Sequence, residues 1–424
     1  MKKLLSLLTV LTLSLCIVAC DKDDTPTQTP APEMVTSDVL DSSVQISDGL
    51  TTTCSDGPQL AFDTQYGIVY STLLVGLFGN YGESRGRIHL ACFPASQPTN
   101  VKTIEIAKEA NVYGPQVLYI GSGTVRVFYE KNSMSQDSSE HYTVYKEYNY
   151  LYDTLSEERE VKIKLEDGSK VPLNTINQFN YLQSKGFTGY ERDYHDEANI
   201  SCSTLKRGKD EKGKNCVYGV ITSYLAQPIL FRSYDNLATL EPFAVMPNLV
   251  QYEFDYAIMD STIYGIYRTN RESDSISLIT SPDMGKTWST PTNVKGSIQC
   301  RPRIINYANS ILYAYNIYNG ETQHRPAVYG GRTNVQLRLG TDFTNNDNNT
   351  LVADVHSIYG ISNIALIDIV GDVYMAYGTS VSALDYQNGT AMDQNNNGNK
   401  IVRAKDATRF VKLGDLTFTK TSLA

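Results

Sequence analysis

Short apolar or aromatic runs, separated by turn residues, fill the chain from about residue 55, and no long window has a helical period. Alternating runs between turn residues are typical of β-strands. Several units share one order: a strand, a Gly or Asp-Ser turn, a second strand, a polar break and a third strand. The paired strands are predicted at 59–63 with 67–70, 116–120 with 123–129, 256–259 with 263–267, 303–305 with 311–313, and 364–367 with 372–375.

The repeat predicts the architecture. Residues 198–245 would supply a further unit, which gives six units over roughly 370 residues, each with room for four strands. A repeated sheet of this size is typical of a β-propeller. We therefore predict an all-β fold, a six-bladed β-propeller, over residues 51–424.

Composition agrees with many strands and excludes some functions. The chain has 30 Tyr, 12 Phe and a single Trp, and tyrosine favours half-buried strand surface. Its hydrophobic fraction of 41% is too high for a disordered chain. The net charge of −9 supplies no basic surface for phosphates, so no nucleic-acid partner is expected.

The first residues predict export. Lys2 and Lys3 precede an apolar run over 4–18, which is too short for a stable membrane span and suits a secretory signal. The run ends in IVAC at 17–20, which resembles the bacterial lipobox. That resemblance implies a signal peptide over 1–19, cleavage before Cys20, and acyl chains on Cys20 that anchor the protein to a membrane.

Residues 20–50 read as a flexible linker. Four charged residues at 21–24 are followed by a Thr-rich stretch at 25–33 that contains three prolines. Such composition is extended and solvated. The acidic cluster resembles the surface-export signal of Bacteroidetes lipoproteins, which implies an outer-membrane protein facing the outside. The alternative is a solvated linker on a lipoprotein that faces the periplasm.

Cysteine and histidine spacing gives little chemistry. Five cysteines lie beyond the signal segment, and in an oxidising compartment Cys202 and Cys216 could pair across a polar hairpin. No C-x-x-C spacing occurs and the five histidines are scattered, so no structural zinc is expected. We predict neither a metal nor a cofactor.

One unit carries a specific motif. Residues 281–288 read SPDMGKTW, which fits the S-x-D-x-G-x-T-W Asp-box of sialidase-like propellers. The Ser and Asp side chains should tie a tight turn, Gly permits positive φ, and Trp288 should pack between blades. Residues 233–237 resemble a decayed copy, and 341–343 are a candidate third. The motif reports the fold and not catalysis.

The Asp-box makes the chain resemble the exo-sialidases. That family hydrolyses terminal sialic acids with an arginine triad that binds the substrate carboxylate, a tyrosine nucleophile activated by a glutamate, and an aspartate acid/base. Arginine presents a planar fork matched to a carboxylate. A neutral tyrosine is not repelled by that carboxylate, and a nearby glutamate can take the phenol proton.

The resemblance extends in order and spacing over residues 250–378. Glu253 precedes Arg268 by one strand pair ahead of the Asp-box, as the family's glutamate precedes its second arginine. Arg332, before a short apolar strand, resembles the third arginine. Tyr359, on the last blade before a strand and a turn, matches the nucleophile. The resemblance therefore implies that Glu253 and Tyr359 are catalytic and that Arg268 and Arg332 bind substrate.

Two positions depart from the family. Asp56 stands where the first arginine is expected, and no aspartate occupies the usual acid/base place, for which Glu83 is a possible stand-in. Arg301 and Arg303 could instead form a pocket for an anionic sugar with a different geometry.

Three function classes follow. The leading hypothesis is a surface-anchored glycoside hydrolase, related to exo-sialidases, that acts on an acidic or modified sugar. The missing arginine and acid/base favour a non-catalytic glycan-binding lipoprotein, and a protein-interaction scaffold stays open. A further variant is a polysaccharide lyase, in which Tyr194 and His195 would remove the proton next to a uronate.

Overall fold

The architecture is taken from a computed structural model of the chain. The structure describes residues 35–47, 50, 57–77, 85–108, 112–131, 142–187, 200–222, 226–247, 253–269, 275–298, 300–317, 332–357, 360–379 and 407–417.

The described residues form six separate sheets, each built around an up-and-down strand order, and this confirms the predicted six-bladed β-propeller. The sheets are given from the innermost strand outward. Blade 1 contains β3 (Leu60–Asp63), β4 (Ile68–Leu77), β5 (Arg85–Pro94) and β6 (Lys102–Ala107). Blade 2 contains β7 (Val112–Gly121), β8 (Thr124–Lys131), β9 (Tyr142–Asn149), β10 (Thr154–Leu155) and β11 (Arg159–Glu160), the last two on the outer edge of β9.

The next two blades follow the same order. Blade 3 contains β14 (Lys206–Lys209), β15 (Asn215–Ile221), β16 (Ile229–Ser233) and β17 (Thr239–Val245), followed outward by β12 (Lys162–Lys164) and β13 (Lys170–Pro172). Blade 4 contains β18 (Phe254–Met259), β19 (Thr262–Arg268), β20 (Ile276–Ser281) and β21 (Thr292–Val294).

The last two blades each include a strand from the N-terminal part of the chain. Blade 5 contains β22 (Arg303–Tyr307), β23 (Ser310–Ile317), β24 (Asn334–Leu339), β25 (Thr350–His356) and β1 (Val35–Asp38). Blade 6 contains β26 (Ser362–Ile369), β27 (Asp372–Thr379), β28 (Ala407–Gly414) and β2 (Val44–Gln45). A short helix α1 (Val39–Ser42) joins the two N-terminal strands.

This N-terminal pairing corrects the predicted boundary at residue 51. β1 runs parallel to β25, and β2 runs antiparallel to β28, so the propeller already includes part of the predicted linker. The physical reason is tertiary: the outer strands of blades 5 and 6 offer unpaired backbone groups, and a polar segment can satisfy them without a strong strand propensity of its own.

Two-residue turns join the first and second strands of four blades. Both central residues have positive φ, as type I′ hairpins require. These residues are Ser122 and Gly123, Asp260 and Ser261, Ala308 and Asn309, and Val370 and Gly371. The strand pairs on either side of these four turns, together with β3 and β4 of blade 1, match the five pairs predicted from the alternation.

Each hydrophobic core lies between two neighbouring blades, and the ring closes between blades 6 and 1. There Phe410 of β28 contacts Phe93 of β5, with ring centroids 5.0 Å apart, and stacks on Tyr374 at 5.3 Å. Tyrosines supply most of the largest fully buried side chains, which explains their abundance in the sequence.

Blade 3 has an added edge. Helix α2 (Thr175–Ser184) begins at the cap residue Asn174, whose side chain accepts a hydrogen bond from the Asn177 amide at 2.8 Å. The helix packs Phe179 and Leu182 into the core between blades 2 and 3. The sequence pattern does not predict this helix, because the helix is only ten residues long and its apolar periodicity is weak.

The Asp-box forms the turn that the motif predicts. Ser281 Oγ accepts from the Gly285 amide at 2.7 Å, and Asp283 Oδ1 accepts from the Thr287 amide at 2.8 Å. The hydrogen bonds that Asp283 accepts from Thr287, Ser281 and Lys286 lower its pKa to about 2. Trp288 packs against the core between blades 3 and 4, as predicted.

The decayed copy in blade 3 makes the same turn. Ser233 Oγ accepts from the Leu237 amide at 2.9 Å, and Asp235 Oδ1 accepts from the Thr239 amide at 2.8 Å. The candidate copy in blade 5 differs: Asp342 Oδ1 accepts from the Thr344 amide at 3.0 Å. It precedes a short 3-10 helix, Asn346–Asn348.

Cys202 and Cys216 do not pair. Both are buried free thiols, as are Cys92 and Cys300. Cys216 lies on β15 in the core between blades 3 and 4, whereas Cys202 precedes β14 near the propeller axis. Burial raises the pKa of both thiols.

The ring has two faces. The hairpin face carries the turns between first and second strands and the Asp-box turns between third and fourth strands. The mouth face is the opposite one, where the first strand of each blade begins.

Candidate functional site

Glu253 and Arg268 lie side by side at the mouth face of blade 4. Glu253 directly precedes β18 and Arg268 ends β19, so the antiparallel pairing of these strands brings them together. The Arg268 amide donates to the Glu253 carbonyl at 3.2 Å, and Arg268 Nη1 donates to Glu253 Oε2 at 3.1 Å. Glu253 is buried, whereas the Arg268 side chain is 25% exposed.

Two arginines of blade 5 join this pair. Arg301, two residues before β22, is buried and places its Nε 3.8 Å from Glu253 Oε1. Arg332, two residues before β24, is close enough for its charge to lower the pKa of Glu253. Its carbonyl accepts from the Ile361 amide of blade 6 at 2.6 Å. We call Glu253, Arg268, Arg301 and Arg332 the arginine cluster.

The cluster keeps Glu253 ionised. Burial alone raises the pKa of a carboxyl group, but the charges of Arg268, Arg301 and Arg332 and the Arg268 hydrogen bond outweigh it, so the Glu253 pKa falls below its ordinary value. A buried carboxylate whose pKa is lowered therefore lies among the charges of three guanidinium groups. Such an arrangement orients planar hydrogen-bond donors for an anionic ligand.

The remaining predicted site residues lie outside the described residues. These are Tyr359, Glu83 and the lipidation residue Cys20, together with Asp56, Tyr194 and His195. The described neighbours of Tyr359 are anchored beside the cluster: the Ser357 amide donates to the Thr333 carbonyl at 2.9 Å. The Gly360 amide donates to the Ser357 carbonyl at 3.1 Å.

Arg303 does not join the cluster. It is fully buried one strand step deeper than Arg301, and its Nε donates to the Ile364 carbonyl of blade 6 at 2.8 Å. Its Nη1 donates to the Cys202 carbonyl ahead of blade 3. Burial lowers the pKa of Arg303 to about 10. These contacts tie blades together and favour a structural role over the predicted sugar contact.

Asp255 forms a second, deeper polar centre below Glu253. Its carboxylate accepts from the Thr204 amide and hydroxyl at 3.0 Å each, and from the Ile304 amide at 3.1 Å. Lys206 Nζ also donates to it. Burial lowers the pKa of Lys206 to about 8, against the opposing attraction of Asp255.

A short segment, residues 200–204, forms a floor beneath the arginine cluster; we call it the central segment. Besides Arg303 and Asp255, Gln59 of blade 1 donates to the Ser201 carbonyl at 2.7 Å. Gln116 of blade 2 donates to the Ser203 carbonyl at 2.7 Å. Side chains from blades 1, 2, 4 and 5 therefore hold one backbone segment near the axis.

Sequence reasoning missed this floor. One signal was present: Asp255 follows Glu253 by two residues, as Arg303 follows Arg301, and the strand period of two places each pair on one side of its strand. The sequence spacing therefore predicts an acidic pair and a basic pair at the starts of two strands. It does not predict how deeply each member of a pair is buried in the ring.

In the part of the chain that the structure describes, no group of three or more His, Cys, Asp or Glu residues is arranged to hold a metal ion. No helix there has the length and apolar character to cross a membrane.

Solved structures resemble the chain in fold. A mutant of Trypanosoma rangeli sialidase displaying trans-sialidase activity aligns with a TM-score of 0.50 and 12% identity, over 88% of this chain and 58% of that one. A protein of unknown function from Dyadobacter fermentans aligns with a TM-score of 0.50 and 10% identity, over 87% and 99%. The Hadza microbial sialidase Hz136 aligns with a TM-score of 0.50 and 13% identity, over 80% and 66%.

These likenesses support a sialidase-like propeller fold. The chain spans 58% of the length of the trypanosomal protein and 66% of Hz136. No protein-family model and no curated protein sequence matches it.

Proposed function

We propose that the protein acts on an acidic or modified sugar, which it binds through the arginine cluster and releases by glycoside hydrolysis. The observation that carries this proposal is the convergence of Arg268, Arg301 and Arg332 on one buried carboxylate at the mouth of a sialidase-like propeller. The residues come from two blades, and the exo-sialidase resemblance implies a substrate-binding role for two of the three arginines, Arg268 and Arg332.

The binding step uses charge and shape together. Guanidinium groups bind carboxylates through paired, charge-assisted hydrogen bonds, which are stronger than neutral ones. Of the two arginines that form ion pairs with Glu253, Arg268 is the more accessible, because its side chain is 25% exposed and that of Arg301 is 1% exposed. The carboxylate of a sialic or uronic acid is therefore the sugar group that this site should recognise.

The chemical step is assigned to residues named from the sequence. In the proposal Tyr359 attacks the anomeric carbon while Glu253 receives the phenol proton and Glu83 protonates the leaving oxygen. Water, deprotonated by Glu83, then displaces Tyr359 from the anomeric carbon, and Glu253 returns the proton to the phenolate. An ionised Glu253 is ready to accept a proton, and the backbone on either side of Tyr359 is bonded beside Arg332.

Binding and turnover are tested with one set of probes. We expect hydrolysis of a fluorogenic sialoside or glucuronide and none of the matched neutral galactoside. Arg332→Gln should weaken binding of the acidic sugar by about 10- to 100-fold. Tyr359→Phe should keep the binding and reduce turnover by at least about a hundredfold.

The outcomes separate the alternatives. Tight binding without turnover of any tested glycan supports a non-catalytic glycan-binding protein, the candidate favoured by Asp56 at the first-arginine position. An unsaturated product that absorbs in the ultraviolet supports the lyase, with Tyr194 and His195 as the pair to mutate. If the protein shows no binding and no turnover of any tested glycan, the glycan proposal is wrong.

We further propose that the protein is an outer-membrane lipoprotein exposed at the cell surface and anchored through Cys20. The lipobox-like IVAC at 17–20 and the acidic cluster after it support this proposal. Cys20→Ala should move the protein from the membrane fraction to the soluble fraction, while Cys16→Ala should not. Protease added to whole cells distinguishes surface exposure from a periplasm-facing anchor.

A further inference from the structure

Exposed apolar side chains are confined to one face of the propeller among the described residues. The large hydrophobic side chains that are more than a third exposed are Tyr66, Leu151, Tyr152, Leu155 and Val370. All five lie at hairpin-face turns or strand ends, and they belong to the consecutive blades 6, 1 and 2. We call this set the apolar arc.

The blade 1 and blade 2 parts of the arc are continuous. Leu151 packs over Gly123, where a Cβ atom would lie 2.8 Å from Leu151 Cγ. Tyr70 of blade 1 reaches the same turn: its hydroxyl donates to the Gly123 carbonyl at 3.5 Å, and its ring lies edge-on to that of Tyr150 with the ring centroids 6.5 Å apart. Tyr152 is the most exposed aromatic of the arc, at 77%.

Val370 occupies its turn against local preference. Its φ is +55°, and a β-branched residue in the left-handed region is strained. It is also 93% exposed, so packing against the described residues does not compensate the strain. Local rules are most often broken where a residue serves a function, and an apolar contact outside the chain would supply one here.

The turns between third and fourth strands in the other half of the hairpin face are built around aspartates. Blades 3, 4 and 5 present the turns of Asp235, Asp283 and Asp342 there. The arc is bordered instead by two exposed lysines, each neutralised by an aspartate: Lys102 Nζ lies 2.6 Å from Asp153 Oδ1, and Lys412 Nζ lies 2.6 Å from Asp372 Oδ2. Tyrosine, leucine and lysine at loop tips suit the interface between water and lipid.

The first described strand begins on the same side. β1 runs parallel to β25, which runs from the hairpin face towards the mouth face, so Val35 lies at the hairpin-face end of blade 5. Blade 5 adjoins blade 6, where the arc begins. The 14 residues between Cys20 and Val35 span at most about 50 Å when extended.

We propose that the apolar arc rests on a lipid surface, with the hairpin face towards the membrane and the arginine cluster directed away from it. The proposed orientation of the propeller rests on the proposed Cys20 anchor, whereas the proposed contact with lipid rests on the apolar arc itself. It places the proposed sugar site where glycans outside the membrane can reach it.

The test uses the full chain, isolated with its anchor and reconstituted into phosphatidylcholine–phosphatidylglycerol vesicles that contain brominated phosphatidylcholine. Tyr152→Trp places a reporter in the arc, and Lys286→Trp places a matched reporter on the other half of the same face. Because interfacial side chains sit about 5–10 Å into the headgroup boundary, we expect roughly twofold stronger bromine quenching of Tyr152→Trp. The native Trp288 contributes equally to both variants.

Sedimentation of the same vesicles separates the two proposals. Protein that pellets with equal quenching at both positions overturns the arc proposal and leaves the anchor intact. Protein that stays in the supernatant overturns both. A third outcome also overturns the arc proposal. If added polysaccharide changes the emission of the Tyr152→Trp variant and brominated lipid does not quench it, the arc binds glycan and not lipid.

Discussion

At the residue scale, the state of Glu253 decides how the arginine cluster works. Removing one partner from a buried ion pair leaves the others uncompensated and costs about 3–5 kcal/mol. Glu253→Gln keeps the size of the side chain and removes its charge, so we expect a fall in unfolding free energy of about 3 kcal/mol by urea titration. Glu157→Gln, at an exposed carboxylate, is the control and should change stability little.

The same residue predicts a pH dependence. The folded-state pKa of Glu253 lies below its ordinary value of 4.5, so the unfolded chain binds the proton more readily. The stabilisation is present above pH 4.5 and is lost as the pH falls through the folded-state pKa. The stability difference between wild type and Glu253→Gln should therefore narrow below pH 4.5, and a constant difference down to pH 3 would contradict the assignment.

Val370 gives a prediction of opposite sign. The turn Val370-Gly371 requires positive φ at both positions, and Asn-Gly is the preferred pair there. Val370→Asn should raise the unfolding free energy by about 1 kcal/mol because it relieves the strain. Asp260→Asn, at the same place in the blade 4 turn, should be near neutral. A destabilised Val370→Asn would mean that Val370 has packing within the fold.

At the element scale, the Asp-box turns show how one backbone shape is kept with different residues. Met284 and Gly285 have positive φ in blade 4, and Asn236 and Leu237 have it in blade 3. Leu237 accepts the strained position because its side chain is fully buried in the core between blades 2 and 3. The Ser and Asp side-chain bonds are the same in both, so the turn depends on them and not on the glycine.

Gly285 is nonetheless required in blade 4. A Cβ at Gly285 would lie 2.4 Å from Ala244 Cβ, whereas one at Gly168, which has a similar φ, would meet nothing within 4 Å. Gly168→Ala should cost about 1 kcal/mol from backbone strain alone. Gly285→Ala should cost about 2–4 kcal/mol, because overpacking against blade 3 adds to it. Equal losses in thermal unfolding would argue against tight packing of the turn.

The sequence predicted those elements whose cause is local. Alternating residues and turn pairs gave the inner strand pairs, and the Asp-box gave its turn and the place of Trp288. The strands β1 and β2 were missed because they exist only through the edges of blades 5 and 6. Arg301 and Arg303 were predicted to line the same sugar pocket, because a strand period of two puts both on one side of the strand and does not show which of them lies deeper in the ring.

At the scale of the whole molecule, the central segment couples the blades. Residues 200–204 receive side-chain bonds from four blades, and Arg303 continues the link to blade 6. A ring whose blades contact only their neighbours could lose one blade at a time. A shared segment at the axis makes such partial unfolding costly, because each blade that leaves breaks bonds that fix the others.

Asp255 tests this coupling, since its carboxylate joins blades 3, 4 and 5. Asp255→Asn leaves the buried Lys206 without its counter-ion, and we expect a loss of about 3–5 kcal/mol. Lys206→Met in the same chain should recover part of that loss, which a double-mutant cycle measures as a coupling energy. The unfolding of Asp255→Asn should remain one transition, with Trp288 fluorescence and far-ultraviolet circular dichroism coincident at a lower midpoint. Trp288 lies between blades 3 and 4. If its fluorescence changed at a lower urea concentration than the circular dichroism, the central segment would stabilise only those two blades and not the whole ring.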